Sequence, residues 1–365
     1  MHSITQIWPP FRSWQPPCLL RMLRSFLLLL VLFVALGISH VATAADPDAE
    51  INGAVPAMDA DTWRQVKNGD SFIDTRHDST YNLINPSGQT WRLIRNKWIS
   101  PFGLIAIGGM LAMITLFYLI VGKNQLEEPR SGRKILRWSA LNRALHWSVA
   151  TLFILLALTG LNLLYGKFLF KPLFGDAFWA SMISGSKLLH NYLGPLFGIL
   201  LVIILMRFLK HNWPKREDFE WLRKGGGMVG KGHPDAGFAN AGEKIWFWLL
   251  ATAGIVVIAS GLVMDFPNYQ QTRDTMQWAN IIHAIGALGL TAVALGHIYI
   301  GTLGTEGALE GMATGYVDES WAKQHHNLWY EEVKDQAVDG ERLETSKGHA
   351  DGKHDNPGPD PARPT

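Results

Sequence analysis

Four histidines stand inside strongly apolar stretches of this 365-residue chain: His146, His190, His283 and His297. An ionisable side chain at membrane depth is costly, so a group of them marks function. An imidazole can bind a metal, relay protons or bond across helices. His283 and His297 share one segment, "IIHAIGALGLTAVALGHIY", and lie fourteen residues apart. On a helix that spacing is ~21 Å of rise. Fourteen steps of ~100° return to within ~40° of the starting face. One helix therefore presents two imidazoles on one face at two depths.

Their partners follow from where the other apolar blocks begin. His190 and His283 each begin a block at one side of the membrane, while His146 begins one at the other side, where His297 also lies. The pattern predicts two pairs, His190 with His283 and His146 with His297. Two stacked bis-imidazole sites in a helix bundle suit two haem b groups held without covalent links. Small residues in "HAIGALG", "ALGH" and "HNYLGPLFG" allow the close helix approach that a flat macrocycle needs. Two other readings use the same residues: a membrane anchor with histidines bonded across helices, and an intramembrane proton relay. Against the relay, the blocks offer no Asp or Glu partner, Asp265 being at a boundary, and no inverted repeat is evident. His211, His233, His325, His326, His349 and His354 lie outside the blocks and are expected at solvated surface.

The elements that must position these histidines are five apolar blocks: 99–122, 141–166, 187–209, 244–266 and 281 to about 303. Each is long enough to cross a bilayer core of ~30 Å. The successive connections, taken with the block ends that flank them as residues 122–143, 166–187, 207–244 and 265–278, carry six, three, eight and one Lys or Arg. That alternation puts the first and third connections in the cytoplasm, with the C-terminus. The expected fold is all-α: an integral membrane helical bundle with a four-helix di-haem cytochrome b core and one additional N-terminal transmembrane helix.

Composition agrees. The chain is 48% hydrophobic with a net charge of +2, too small to point to nucleic acid. Arg21 and Arg24 precede an apolar run that ends in "ATAAD", the pattern of a signal peptide over residues 1–45. The single cysteine, Cys18, falls within it, so the mature chain has no thiol for iron–sulfur, disulfide or covalent haem chemistry. Residues 46–98 read as a periplasmic segment with little regular structure. From residue 333 to 365 the chain is charged and reads as a disordered cytoplasmic tail.

The stretches "ALNRALHWSVATLFILLALTG", "LLHNYLGPLFG", "FANAGEKIWFW", "LGHIYIG" and above all "EGALEGMATGYVDESWAKQHHNLWYEE" resemble the cytochrome b556 (gamma) subunit of membrane-bound formate dehydrogenases over residues 136–332. The haem motifs alone are shared more loosely with cytochrome b subunits of nickel–iron hydrogenases and other molybdopterin oxidoreductases. The ending "WAKQHHNLWY" favours the formate dehydrogenase branch. The resemblance implies the four histidines as axial ligands. It implies a quinone site on the cytoplasmic side, formed by Asn240, Gly242 and Glu243 beside His297. There the family motif Asn-Ala-Gly-Gln-Lys has Glu243 in place of Gln. Read from the residues alone, "ANAGEK" is a loop and helix N-cap with Asn240 capping and Glu243 at the third position. The implied partners are an iron–sulfur (beta) subunit, a molybdopterin catalytic (alpha) subunit that oxidises formate, a quinone and the inner-membrane lipid. Arg143 and Arg207 are placed to meet haem propionates or lipid phosphates.

Overall fold

A computed structural model describes residues 87–227, 232–269 and 271–341. The signal-peptide expectation and most of the 46–98 segment lie outside the described residues. Among the described residues four helices are long and apolar enough to cross a membrane. These are α1 (Gly88–Val121), α2 (Ala140–Phe208), α4 (Ala241–Asp265) and α5 (Arg273–Gly304). The chain is a multi-pass helical membrane protein. The five apolar blocks all lie on these helices, because α2 contains two of them.

Three expectations change. The first span begins eleven residues earlier than the apolar block, at Gly88 rather than Ile99, so residues 88–98 are helical. Amphiphilic residues such as Trp91, Arg92, Arg95 and Trp98 extend a helix through an interface without adding to its apolar run. Residues 167–186, expected as a loop, are helical apart from one break at Gly175, where φ is 82° and ψ is 176°. Only glycine adopts that backbone at little cost. Finally, the chain remains structured past residue 333, into strand β3 (Val338–Asp339), and residues 342–365 lie outside the described residues.

The chain divides into two compact units. One holds residues 159–189 of the described chain. Within it, Asn162 Nδ2 donates to Ser186 Oγ at 2.6 Å and to the Met182 carbonyl at 3.2 Å. Phe174 and Phe178 pack at 4.8 Å between ring centres, and Lys171 pairs with Asp176 at 2.9 Å. The buried Asn162 contacts hold helix segments together where both sides are equally apolar.

The other unit holds residues 87–158 and 190–341 of the described chain. There the two ends of α2 return to pack side by side through Leu152, Phe197 and Leu201, with Leu250 and Ile258 of α4 against them. Helix α5 is flanked by α4 and by α1, whose Phe117 and Tyr118 both meet Tyr299 edge-on at 6.4 Å. Ser87 Oγ donates to Asp274 Oδ1 at 2.8 Å, joining the starts of α1 and α5.

At the end of the bundle that carries His146 and His297, the connections fold into a cap. It comprises β1 (Arg133–Leu136), α3 (Arg216–Arg223), α6 (Ala308–Thr314), β2 (Tyr316–Asp318), α7 (Glu319–His325), α8 (Asn327–Val333) and β3. The strands form an antiparallel sheet in the order β2–β1–β3, with Ile135 opposite Val317. Ile135, Val317, Trp321, Ala322 and Trp329 form its core. Asp318 is 2% exposed and caps α7 by accepting from the Ser320 N–H. It also accepts from the Ser131 N–H at 3.1 Å and pairs with Lys134 at 3.4 Å, so its buried charge is partnered.

Candidate functional site

The site is built on α5. Its N-terminus is capped by Thr272, whose hydroxyl accepts from the Thr275 N–H. The run from Ile281 to Tyr299 then carries His283 and His297 without a break. The first end of α2 brings His146 to His297, with 6.4 Å between ring centres. The second end brings His190 to His283, with 5.9 Å between ring centres. The two expected pairs are therefore the two that come together. Two imidazoles on opposite sides of one metal, each bonded at ~2.0–2.1 Å, hold their ring centres roughly 6 Å apart. Both pairs have that spacing, and the donor set is two imidazoles per site, as a bis-histidine haem requires.

Each ring is oriented by neighbours. His283 Nδ1 lies 2.9 Å from the Val257 carbonyl, which can only accept, so Nδ1 carries the proton and Nε2 is left for a metal. Glycine makes this possible at two points. A Cβ on Gly261 would stand 3.1 Å from His283 Cε1, and one on Gly286 would stand 2.6 Å from Val257 Cγ2. His190 bonds the Leu156 carbonyl. At the other pair Trp246 stacks on His297 at 5.2 Å and 16°, and Trp147 meets His146 edge-on at 5.1 Å. His146 Nδ1 is buried with no partner. The Trp147 indole N–H is held by the Met312 carbonyl at 3.0 Å.

The remaining candidates are placed as follows. Asn240 is the N-cap of α4: its Oδ1 accepts from the Glu243 N–H at 3.0 Å, and Glu243 Oε2 accepts from the Asn240 N–H at 2.9 Å. This capping box leaves the Asn240 amide NH₂ group and the second Glu243 oxygen for other partners. A Cβ on Gly242 would meet the Trp221 ring at 3.1 Å. Trp246, which touches His297, follows Gly242 by one turn, so the candidate quinone residues stand next to the His146–His297 pair. Arg143 and Arg207 have protein partners: Arg143 donates to the Ala313 carbonyl at 2.9 Å, and Arg207 to Asn142 Oδ1 at 2.9 Å. Both contacts tie α2 to its own surroundings.

The expectation of a solvated surface fails for two histidines. His326 is 1% exposed, with Nδ1 2.7 Å from the Gly237 carbonyl and Nε2 3.2 Å from Arg137 Nη2. Burial pushes it well below the ordinary imidazole range, and the Arg137 charge adds to this. Burial, with His233 and Arg137 nearby, lowers His325 to about 4. The sequence gives no periodic signal here, because the groups that His326 bonds, Gly237 and Arg137, are 89 and 189 positions away. Trp246, Val257 and Arg137 were also missed. An aromatic or arginine near a helix end has too many ordinary explanations to stand out.

Stacked imidazole pairs inside a multi-pass bundle are the layout of a membrane cytochrome b. Residues 137–315 match the sequence model of the prokaryotic cytochrome b561 family. The chain is 31% identical over 211 residues to the nitrate-inducible formate dehydrogenase cytochrome b556(Fdn) subunit of Escherichia coli K12, covering 55% of this chain and 93% of that protein. It is equally similar, 31% over 209 residues with the same coverage, to the formate dehydrogenase cytochrome b556(fdo) subunit of that strain. To the formate dehydrogenase cytochrome b556 subunit of Haemophilus influenzae it is 27% identical over 215 residues, covering 56% of this chain and 86% of that protein. The chain therefore belongs to the family of formate dehydrogenase cytochrome b556 subunits, and is a haem b membrane subunit.

Proposed function

We propose that this chain is the two-haem electron conduit of a formate dehydrogenase complex. The observation that carries the reading is geometric: two imidazole pairs, at 5.9 and 6.4 Å between ring centres, share one helix fourteen residues apart. Each haem b supplies a one-electron iron couple when bound. His190 and His283 hold the outer haem toward the periplasm, and His146 and His297 hold the inner haem toward the cytoplasm. The basic connections that build the cap support that orientation, with the C-terminus inside and the mature N-terminus outside. Formate is oxidised on a separate molybdopterin subunit, and an iron–sulfur subunit passes its electrons to the His190–His283 end. Moving each electron inward works against a membrane potential, at ~2.3 kcal/mol per 100 mV. Two pairs at two depths divide that step.

Asn240, Gly242 and Glu243, beside His297, form the quinone site at the cap end. The Asn240 Oδ1 is used by the helix cap, which turns its NH₂ group into the donor available to a quinone carbonyl. Trp246 keeps His297 flat against α4 and shields it from water.

The test is haem content. The chain is purified from membranes, reduced with dithionite, and its haem quantified as the pyridine haemochrome. Two haem b per chain is the expected result. One haem overturns the two-pair reading, and none in folded material returns the histidines to structural or proton-relay roles.

A further inference from the structure

Arg137 is a deeply enclosed charge in the cap. Its side chain is 2% exposed, and its guanidinium lies against four aromatic rings: Phe238 and Trp329 at 5.0 Å, Trp321 at 5.2 Å and Trp138 at 5.6 Å. Nη2 donates to the Phe238 carbonyl at 2.8 Å and to His326 Nε2 at 3.2 Å. His326 Nδ1 faces a carbonyl and so carries the proton, which makes Nε2 the acceptor and the ring neutral. Nη1 is buried with no partner. Ring faces hold a cation but do not neutralise it. A buried guanidinium also needs an anion.

The anion that reaches it is Glu243, whose Oε1 lies 3.4 Å from Nη2. This carboxylate has a wet side and a dry side, its side chain being 42% exposed while Arg137 is closed off. Oε2 is fixed by the Asn240 N–H, so the group stands still at the start of α4. Three residues later Trp246 stacks on His297. The other charged pair nearby is closed: Lys244 is bound to Asp218 at 2.7 and 2.8 Å, with both side chains largely buried. Lys210, His211, Lys215, Lys244 and Glu332 line a cavity that Phe238 also borders. The capping box uses Oε2, which leaves Oε1 between solvent and the caged cation. Burial lowers Arg137 from its usual value, and Glu243 counteracts this.

We propose that Glu243 hands a proton to the quinone bound at the cap end, and that Arg137 is the positioning residue that holds Glu243 ready for it. The proposal rests on the quinone reading above. A quinone becomes a quinol by taking two electrons, which arrive through this chain, and two protons. At rest Glu243 is the carboxylate that faces the Arg137 cation. In each delivery it takes a proton from water on its exposed side, its O–H then breaks as an O–H forms on a quinone oxygen, and the carboxylate is restored. In a relative with glutamine here the proton takes another route.

The test uses the full chain in detergent, its haems reduced with stoichiometric dithionite, mixed with a short-chain quinone. The rate of haem reoxidation is followed from about pH 5 to about pH 9. General acid catalysis contributes on the order of 10²-fold or more. E243Q, which keeps the cap, is expected to slow reoxidation at least tenfold and flatten its pH dependence. E243D restores the pH dependence in part. R137K keeps the charge but loses the fork geometry, and is expected to shift the pH profile while haem spectra stay unchanged. An E243Q protein with wild-type rate and pH profile overturns the proposal. A photoreactive quinone separates the two levels. Labelling of residues 240–246 with a normal E243Q profile sinks the proton role alone. No labelling there in the unaltered chain sinks the quinone site, and the proton role with it.

Discussion

The His190–His283 and His146–His297 pairs share a helix and nearly the same spacing, yet they are held by different means. The first is fixed by backbone carbonyls, of Leu156 and Val257. The second is fixed by aromatic faces, Trp147 against His146 and Trp246 against His297. A carbonyl that accepts the second imidazole N–H makes the ring a stronger donor to a metal. Stacking sets orientation without adding electron density. The difference therefore predicts the lower potential at the His190–His283 site, the entry point of the proposed electron path, and the higher at the His146–His297 site, its exit. A third pair shows that spacing is not the whole signal. His233 and His325 stand 6.0 Å apart in the cap, outside the spanning helices. What distinguishes the membrane pairs is their common helix and the small residues that surround them.

The sharpest way to break the comparison is His297→Ala. It removes one ligand of the pair held by stacking and leaves the carbonyl-held pair intact. The expected outcome is complete loss of the inner haem and of quinone reduction, with one haem per chain remaining. Retention of two haems would mean that the pairing is wrong.

Acid should separate the cap from the bundle. His325 is held at about 4 by burial, against an ordinary value of 6.5. A group whose folded value lies below its unfolded value leaves the unfolded chain binding more protons between the two. The contribution of His325 is therefore full above about pH 6.5 and is lost as pH falls toward 4, a change on the order of 3 kcal/mol. Tryptophan emission from the Trp321–Trp329 core should report cap opening in that window, while haem absorbance at the His190–His283 site stays constant. H325N should flatten the transition. An acid profile unchanged by H325N would assign the transition to another group.

Gly286→Ala tests the carbonyl-held pair. The new Cβ would stand 2.6 Å from Val257 Cγ2, so Val257 must shift, and the expected displacement takes its carbonyl away from His283. Overpacking of this kind costs ~1–3 kcal/mol. The expected reading is a shifted low-spin signal and raised potential at the outer haem, with the inner haem unchanged. Equal shifts at both haems would show that the two sites are not independently supported.

Much of this arrangement is legible in the residues because it is periodic. The fourteen-residue spacing of His283 and His297 fixes two depths and one face, and the positions of His146 and His190 at block starts fix the partners. Apolar length locates all five blocks. What is lost is whatever depends on contacts between distant segments. Strand β2 has three residues, too few for any alternation to register, and it exists because β1 lies 184 positions earlier in the chain. The double histidine His325–His326 reads as surface because the groups that His326 bonds, Arg137 and Gly237, lie 189 and 89 positions away in the chain. The Gly175 break is missed for a different reason: a loop and a helix carried past one glycine have the same composition.

Trp246→Leu makes the smallest change and sharpens the comparison most. Leucine fills much of the same space, so the helix should remain and both haems should be retained. The stack on His297 is lost, and with it the constraint on ring orientation at the pair that has no carbonyl to hold it. Aromatic contacts of this kind are worth ~0.5–1.5 kcal/mol beyond their buried area. The expected result is a modest change in the inner-haem low-spin signal and a few-fold slower reoxidation by quinone, with the outer haem unaffected. The same substitution should have no counterpart at His283, where the Val257 carbonyl does the orienting. If the inner-haem signal is unchanged in W246L, His297 is oriented by its partner His146 and the haem itself. The two pairs would then differ only in which one has backbone carbonyls behind it, and the potential difference would rest on those two hydrogen bonds alone.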